Sequence, residues 1–236
     1  MRLEGKAAVQ HVQRKLAAAG LYDGPIDGIY GGGTDGGLDK ALAAYAVSMN
    51  TAQAGTVGLT QDRPLAWGAK VSGEFRARVW WIANQLGLPA DDLMACMAWE
   101  SGRTFSPSVR NMAGSGATGL IQFMPTTAKG LGTTTDALAA MTAEDQLNYV
   151  YKYFLPYKGR LKNLGDIYMA ILWPAGVGKA DSYVLWDKGQ RPTTYRQNAG
   201  LDVNKNGQIT RGEALAKVSG LLAEGRKPGN LYPGKA

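Results

Sequence analysis

Ala98-Trp99-Glu100-Ser101-Gly102, followed by Gly116-Ala117-Thr118-Gly119-Leu120-Ile121-Gln122-Phe123-Met124-Pro125, is the part of the sequence on which its reading turns. Glu100 ends the apolar run Leu93-Met94-Ala95-Cys96-Met97-Ala98-Trp99, which has the length and composition of a buried helix. A carboxyl leaving such a helix lies near Trp99 and Met97 and at the partially negative helix end. All of these favour its protonated form. A carboxylic acid that holds its proton near neutrality is what protonation of a glycosidic oxygen requires. The plainer alternative is a solvated glutamate at a helix terminus. The glycine-rich loop with its glutamine weighs against that alternative.

Composition narrows the chemistry. The chain has one histidine, His11, and one cysteine, Cys96. Zinc amidases and peptidases need two histidines or a His/Cys set, and Ser-His or Cys-His nucleophiles need their histidine close by. His11 falls in a different expected domain from every other candidate site. Carboxylate chemistry remains. A single cysteine forms no internal disulfide, and Cys96 reads as a small core residue. No apolar stretch is long enough to span a bilayer, so no membrane insertion is expected. The first twenty residues lack the basic-then-apolar layout of a signal peptide, with Val9, Val12 and Leu16 spaced as in a soluble helix. The net charge is +7. Residues 1–66 are balanced between Arg2, Lys6, Arg14, Lys15, Lys40, Arg63 and Glu4, Asp23, Asp27, Asp35, Asp39, Asp62, so the excess lies in 67–236. A basic surface suits polyanionic partners. No zinc-finger or RNA-binding motif accompanies it, so no nucleic acid is expected and the bacterial envelope is the partner that fits.

The expected organisation is mainly α. A helix from Gly5 to Ala19 ends at the cap Gly20, the turn-rich Tyr22-Asp23-Gly24-Pro25-Ile26-Asp27-Gly28 follows, and Leu38, Leu42 and Tyr45 mark a second helix. Residues 1–66 form a module and 67–73 a linker, with the Gly- and Thr-rich stretch Thr51 to Gly73 leading out of the module. Residues 74–236 form the larger domain. Its helices are expected from Glu74 to Leu86, from Pro89 to Glu100, from Ala143 to Leu155, from Leu164 to Trp173 and from Arg211 to Leu222.

The module resembles the three-helix peptidoglycan-binding domain through Val12-Gln13-Arg14-Lys15-Leu16, Gly20, Gly24, Asp27-Gly28, Tyr30-Gly31, Thr34 and Ala41. Tyr45-Ala46 stands where that family closes with Phe-Gln. The resemblance implies wall binding, with Asp27, Gly28 and Tyr30 as its marks. Asp27 and the glycines also build a turn whatever the module binds.

The larger domain resembles the lytic transglycosylase and goose-type lysozyme superfamily. Glu100-Ser101 and the run from Gly116 to Pro125 match the family's Glu-Ser and Gly-x-x-Gly-Leu-x-Gln-x-Met-Pro at every fixed position. The resemblance implies a lysozyme-superfamily α-helical fold and one catalytic glutamate, Glu100, that cuts the glycan strands of peptidoglycan. It further implies that Gln122 and Met124, with Gly119, line the sugar cleft, that Ser101 supports the glutamate, and that Tyr153 matches a family tyrosine. The family's Ala-Tyr-Asn-Ala-Gly reads here Leu172-Trp173-Pro174-Ala175-Gly176. Trp173 can stack on a sugar but lacks the tyrosine hydroxyl; Tyr195 is a candidate to supply it. Inverting hydrolysis needs a second carboxylate, and Asp136, Glu144, Asp145, Asp166 and Asp181 carry no motif. The resemblance implies a glutamate that acts first as acid and then as base and leaves 1,6-anhydromuramic ends without a second acid, so a transglycosylase is favoured over a muramidase. A catalytically inactive wall-binding or phage structural protein is the alternative from another class.

Asp202-Val203-Asn204-Lys205-Asn206-Gly207-Gln208-Ile209-Thr210-Arg211-Gly212-Glu213 fits the calcium loop of an EF-hand. Asp202, Asn204, Asn206, the Gln208 carbonyl and bidentate Glu213 are the candidate ligands, and Gly207 makes the sharp turn. Two charged ligands imply weak binding; a metal-free turn before a helix is the other reading. No cofactor is required for catalysis. The whole reads as a monomeric modular endolysin of phage type, made in the host cytoplasm and acting on the cell wall.

Overall fold

The computed structural model describes residues 2–29, 37, 63–111 and 114–234. These are mainly helical: α1 (Arg2–Ala18), α2 (Gly73–Leu86), α3 (Ala90–Glu100), α4 (Pro125–Gly130), α5 (Thr135–Ala140), α6 (Ala143–Phe154), α7 (Leu164–Leu172), α8 (Pro192–Gln197) and α9 (Arg211–Gly225). Strands β1 (Val184–Asp187) and β2 (Gln208–Thr210) form a two-stranded antiparallel ribbon.

The helix boundaries follow from caps. Ser72, Thr142, Asn163 and Thr210 each accept a backbone N–H from the first turn of α2, α6, α7 and α9. Thr210 and Glu213 complete a reciprocal capping box. Helix α2 stops at Gly87, whose φ of 69° is the left-handed conformation glycine tolerates. The short helices α4, α5 and α8 and the ribbon were not anticipated from periodicity, being too short to show it.

Helix α3 is the axis of the core. Every residue from Leu93 to Ala98 is buried, so the helix is apolar on all sides and must be surrounded. Helices α2, α7 and α9 pack against it, and α6 packs on α2. Cys96 lies inside this core and is unbonded, as expected.

The residues around the expected boundary at 66/67 pack into the core. Leu65, Ala66 and Trp67 are buried, Leu65 pairs with Tyr232, and the Trp67 indole donates to Leu221 O at 2.9 Å. Gly225 of α9 is a glycine because any Cβ there would overlap the Trp67 ring. An apolar triplet ending in tryptophan thus clamps the last helix to the core. Turn-rich composition before it concealed this.

In the N-terminal module, Gln13 is buried and organises the turn after α1. Its amide donates to Asp27 Oδ1 at 3.0 Å and to Ile29 O at 3.1 Å, and its oxygen accepts Gly28 N at 2.9 Å. Leu16 joins the same hydrophobic core as the larger domain, and α1 rests on the 3-10 turn Leu155–Tyr157. The expected second helix, with Leu38, Leu42 and Tyr45, and the candidate Tyr30 lie outside the described residues. Among the described residues no helix is long and apolar enough to cross a membrane.

Candidate active site

Glu100 is the last residue of α3. The chain leaves it through a tight turn held by Ser101. The Ser101 hydroxyl donates to Met97 O at 2.6 Å and accepts Phe105 N at 3.0 Å. Ser101 is buried, so it fixes the helix end and presents no group to a ligand. The turn carries Gly102, Arg103 and Phe105 at φ of 60°, 71° and 51°. Left-handed backbone at Arg103 and Phe105 is strained. Two anchors hold it: Phe105 packs edge-on against Phe75, and the Arg103 guanidinium binds both Glu224 oxygens at 2.8 Å.

The second motif folds into a small platform beside this turn. Thr118 pairs with both Arg110 and Phe123. Gly119 has φ of 84°, and a Cβ there would overlap the Gln146 amide. Gln146 itself is fully buried. Its oxygen accepts Leu120 N at 2.7 Å, and its nitrogen donates to Leu138 O at 2.8 Å and Pro107 O at 3.1 Å. Gln146 is a positioning residue that sequence reading missed; a glutamine beside Leu147 and facing the same way as Val150 on an amphipathic helix was the available signal. Gln122, at φ of 52°, spends its amide nitrogen on Val109 O and Gly119 O at 3.2 and 3.1 Å. Met124 stands exposed at the start of α4, an apolar surface side chain adjoining the platform.

Tyr153 joins the platform to α7. Its ring meets Phe123 edge-on with centroids 6.2 Å apart, and its hydroxyl donates to Ala170 O at 2.6 Å. Burial and then the Tyr157 and Glu100 charges push the Tyr153 hydroxyl up, and Tyr168 is pushed up by burial and Glu100. Both phenols therefore stand within electrostatic reach of the glutamate and stay neutral. Trp173 follows α7, half-buried, with its ring against Trp186 and the Arg191 guanidinium 5.1 Å above it. Tyr195 does not supply a hydroxyl to Glu100. It donates to Asp202 Oδ2 at 2.6 Å instead, because α8 packs on β1 of the ribbon.

Burial raises the Glu100 carboxyl to about 8. The carboxyl sits deep among protein atoms, while the residue as a whole retains intermediate accessibility. Among the described residues no hydrogen bond or ion pair offsets its desolvation. The five acids considered as a second carboxylate are paired with other groups. Asp136 binds Arg110 at 2.6 Å, Asp145 lies 3.8 Å from Arg78, and Glu144 accepts the Ser72 hydroxyl at 2.5 Å. Asp166 and Asp181 both bind Arg211.

The loop from Asp202 to Glu213 is wound on its own oxygens. Asp202 accepts Asn206 N and Gly207 N at 3.2 and 3.0 Å, Asn204 accepts Asn206 N at 3.0 Å, and Asn206 accepts Gln208 N at 2.8 Å. Gly207 has φ of 86°. Glu213 accepts Val203 N at 3.2 Å and Thr210 N at 2.9 Å. The donor set and turn fit a calcium loop in outline, with Asp202, Asn204, Asn206, Gln208 and Glu213 as the residues that would hold the ion and tie the loop to α9. Among the described residues there is no group of three or more His, Cys, Asp or Glu able to hold a metal; most of the candidate ligands are amides and a carbonyl.

No protein-family model matches the chain, and no curated protein matches it at a significant level.

Proposed function

We propose that the protein cleaves the MurNAc-GlcNAc β-1,4 bond of peptidoglycan, with Glu100 as both acid and base. The observation that carries this reading is a carboxyl desolvated to about 8 on a residue that keeps intermediate accessibility, at a strained and doubly anchored helix end. The protonated Glu100 gives its proton to the bridging oxygen as the C1–O bond breaks. The resulting carboxylate takes the proton of the muramic 6-hydroxyl as O6 bonds to C1. One bond is broken and one formed, and no water enters. The pairing of Asp136, Glu144, Asp145, Asp166 and Asp181 away from Glu100 favours this route over one with a water-activating second acid. The exposed Met124 and half-buried Trp173 supply apolar faces suited to sugar rings. In this reading the N-terminal module holds the enzyme on the wall, and a calcium ion in the 202–213 loop would stiffen it without entering the chemistry.

The test is the mass of muropeptides released from purified sacculi. Anhydro ends that resist borohydride are expected. Reducible products one water heavier, by about 18 mass units, would replace the transglycosylase with a muramidase that keeps Glu100 as the acid.

A further inference from the structure

A cavity of about 300 Å³ opens between the ribbon and the turn leading into α8, lined by Tyr183, Asp187, Gln190, Arg191 and Gln208 among others. It adjoins Trp173, because the Arg191 guanidinium lies 5.1 Å from the centre of the Trp173 ring. Arg191 is exposed and has no carboxylate partner among the described residues. A second cation, Lys179, lies 5.6 Å from the centre of the ring of Tyr183, a lining residue, and is likewise in no ion pair among the described residues. Asp187 is the opposing charge. Its Oδ1 accepts Gly189 N at 2.8 Å and Gln190 N at 3.1 Å, and its Oδ2 accepts Gln208 Nε2 at 3.0 Å. These three donors occupy the Asp187 carboxylate, whereas Arg191 and Lys179 have no carboxylate partner among the described residues.

A cavity lined by a guanidinium, a carboxylate and two side-chain amides, with an ammonium beside it, matches a ligand with carboxylates and peptide groups. A sugar ring, which is neutral, makes no use of the cations. We infer that this cavity is a subsite for the peptide stem of peptidoglycan, with Arg191 and Lys179 receiving stem carboxylates and Gln190 and Gln208 its amides. The inference rests on the glycan-cleaving reading, since Trp173 would carry the muramic sugar from which the stem hangs.

The test has two arms on the full chain. In the first, kcat/KM is measured on soluble glycan strands with stems and on strands stripped of stems, for the wild type, Arg191→Ala and Lys179→Ala. The ratio of stemmed to stripped is expected to fall about tenfold for Arg191→Ala and less for Lys179→Ala, as loss of a charge-assisted hydrogen bond implies. An equal fall on both strands, or no fall, would overturn the subsite. In the second arm, N-acetyl-L-Ala-γ-D-Glu-L-Lys is titrated against the chain by NMR, beside the same peptide with both carboxylates amidated. Shifts at Tyr183, Gln190 and Gln208 with the acid alone are expected. No shifts, or the same shifts with both peptides, would overturn it. Should neither strand be cleaved by the wild type, the glycosidase reading fails, and the titration still decides the subsite.

Discussion

Glu100 and Glu213 are the same side chain at opposite ends of two helices that share one core, α3 and α9. Glu100 closes α3, where unpaired carbonyls give the helix its partial negative end. Glu213 sits in the first turn of α9, where unpaired N–H groups give the positive end. Around Glu100 nothing offsets desolvation, and its carboxyl rises to about 8. Burial also pushes Glu213 up, but donors from Thr210, Asn204 and Val203 outweigh it and leave it below its ordinary value. One environment makes an acid that keeps its proton. The other makes a permanent anion suited to capping a helix or meeting a cation. The chemistry of each region is set by which backbone groups surround the carboxyl.

The contrast is broken most severely by removing the acid. Glu100→Gln, nearly isosteric, is expected to lower turnover on purified peptidoglycan by about a thousandfold or more, since an amide neither gives nor takes the proton. Clearing near the wild-type rate would remove Glu100 from the mechanism.

Gly119→Ala tests the support of the first region. The new methyl would overlap the Gln146 amide at φ of 84°, and a loss of about 3 kcal/mol in denaturant unfolding is expected. Wild-type stability would mean that the platform does not depend on Gln146.

The two glutamates should then respond to pH in opposite directions. For Glu100 the folded value lies above the unfolded one, so the folded state binds the extra proton between about 4.5 and 8 and loses stability as pH rises through that window. Glu100→Gln is therefore expected to stabilise the protein by about 5 kcal/mol at pH 9 and by almost nothing at pH 4. For Glu213 the folded value lies below 4.5. Its contribution is present above that ordinary value and is lost as pH falls through the folded one. Glu213→Gln is expected to cost about 1 kcal/mol at pH 7 and little in acid. Thermal melts of both variants across pH check the signs, and parallel profiles would dissolve the distinction.

Calcium gives the smallest expected effect. Millimolar calcium should raise Tm by about 2–4 °C by mass action, and Asp202→Ala combined with Glu213→Ala should abolish the rise. A Tm indifferent to calcium and to chelator would leave a metal-free turn. Turnover should not change in either case.

Much of this contrast was legible in the sequence, because motif residues carry their own geometry. Glu100 at a helix end, Gly119 in a glycine-rich loop and Gly207 in a sharp turn stand where their chemistry put them. What escaped was non-local. Gln146 reads as one more polar residue on α6 until the platform it holds is folded against it. Trp67 looked like the edge of a linker because its partners, Leu221 and Gly225, are at the other end of the chain. The Tyr195 hydroxyl was sought near Glu100 and is bound to Asp202, since no local pattern shows where a short helix will dock.

The pH dependence of kcat/KM on soluble peptidoglycan strands tests the central claim most directly, because it asks at once whether the bond is cut and whether a proton held to about 8 is what cuts it. The account predicts cleavage that holds through neutrality and falls by half near pH 8 as Glu100 ionises. No cleavage at any pH, or an alkaline fall centred at the ordinary glutamate value near 4.5, would contradict it.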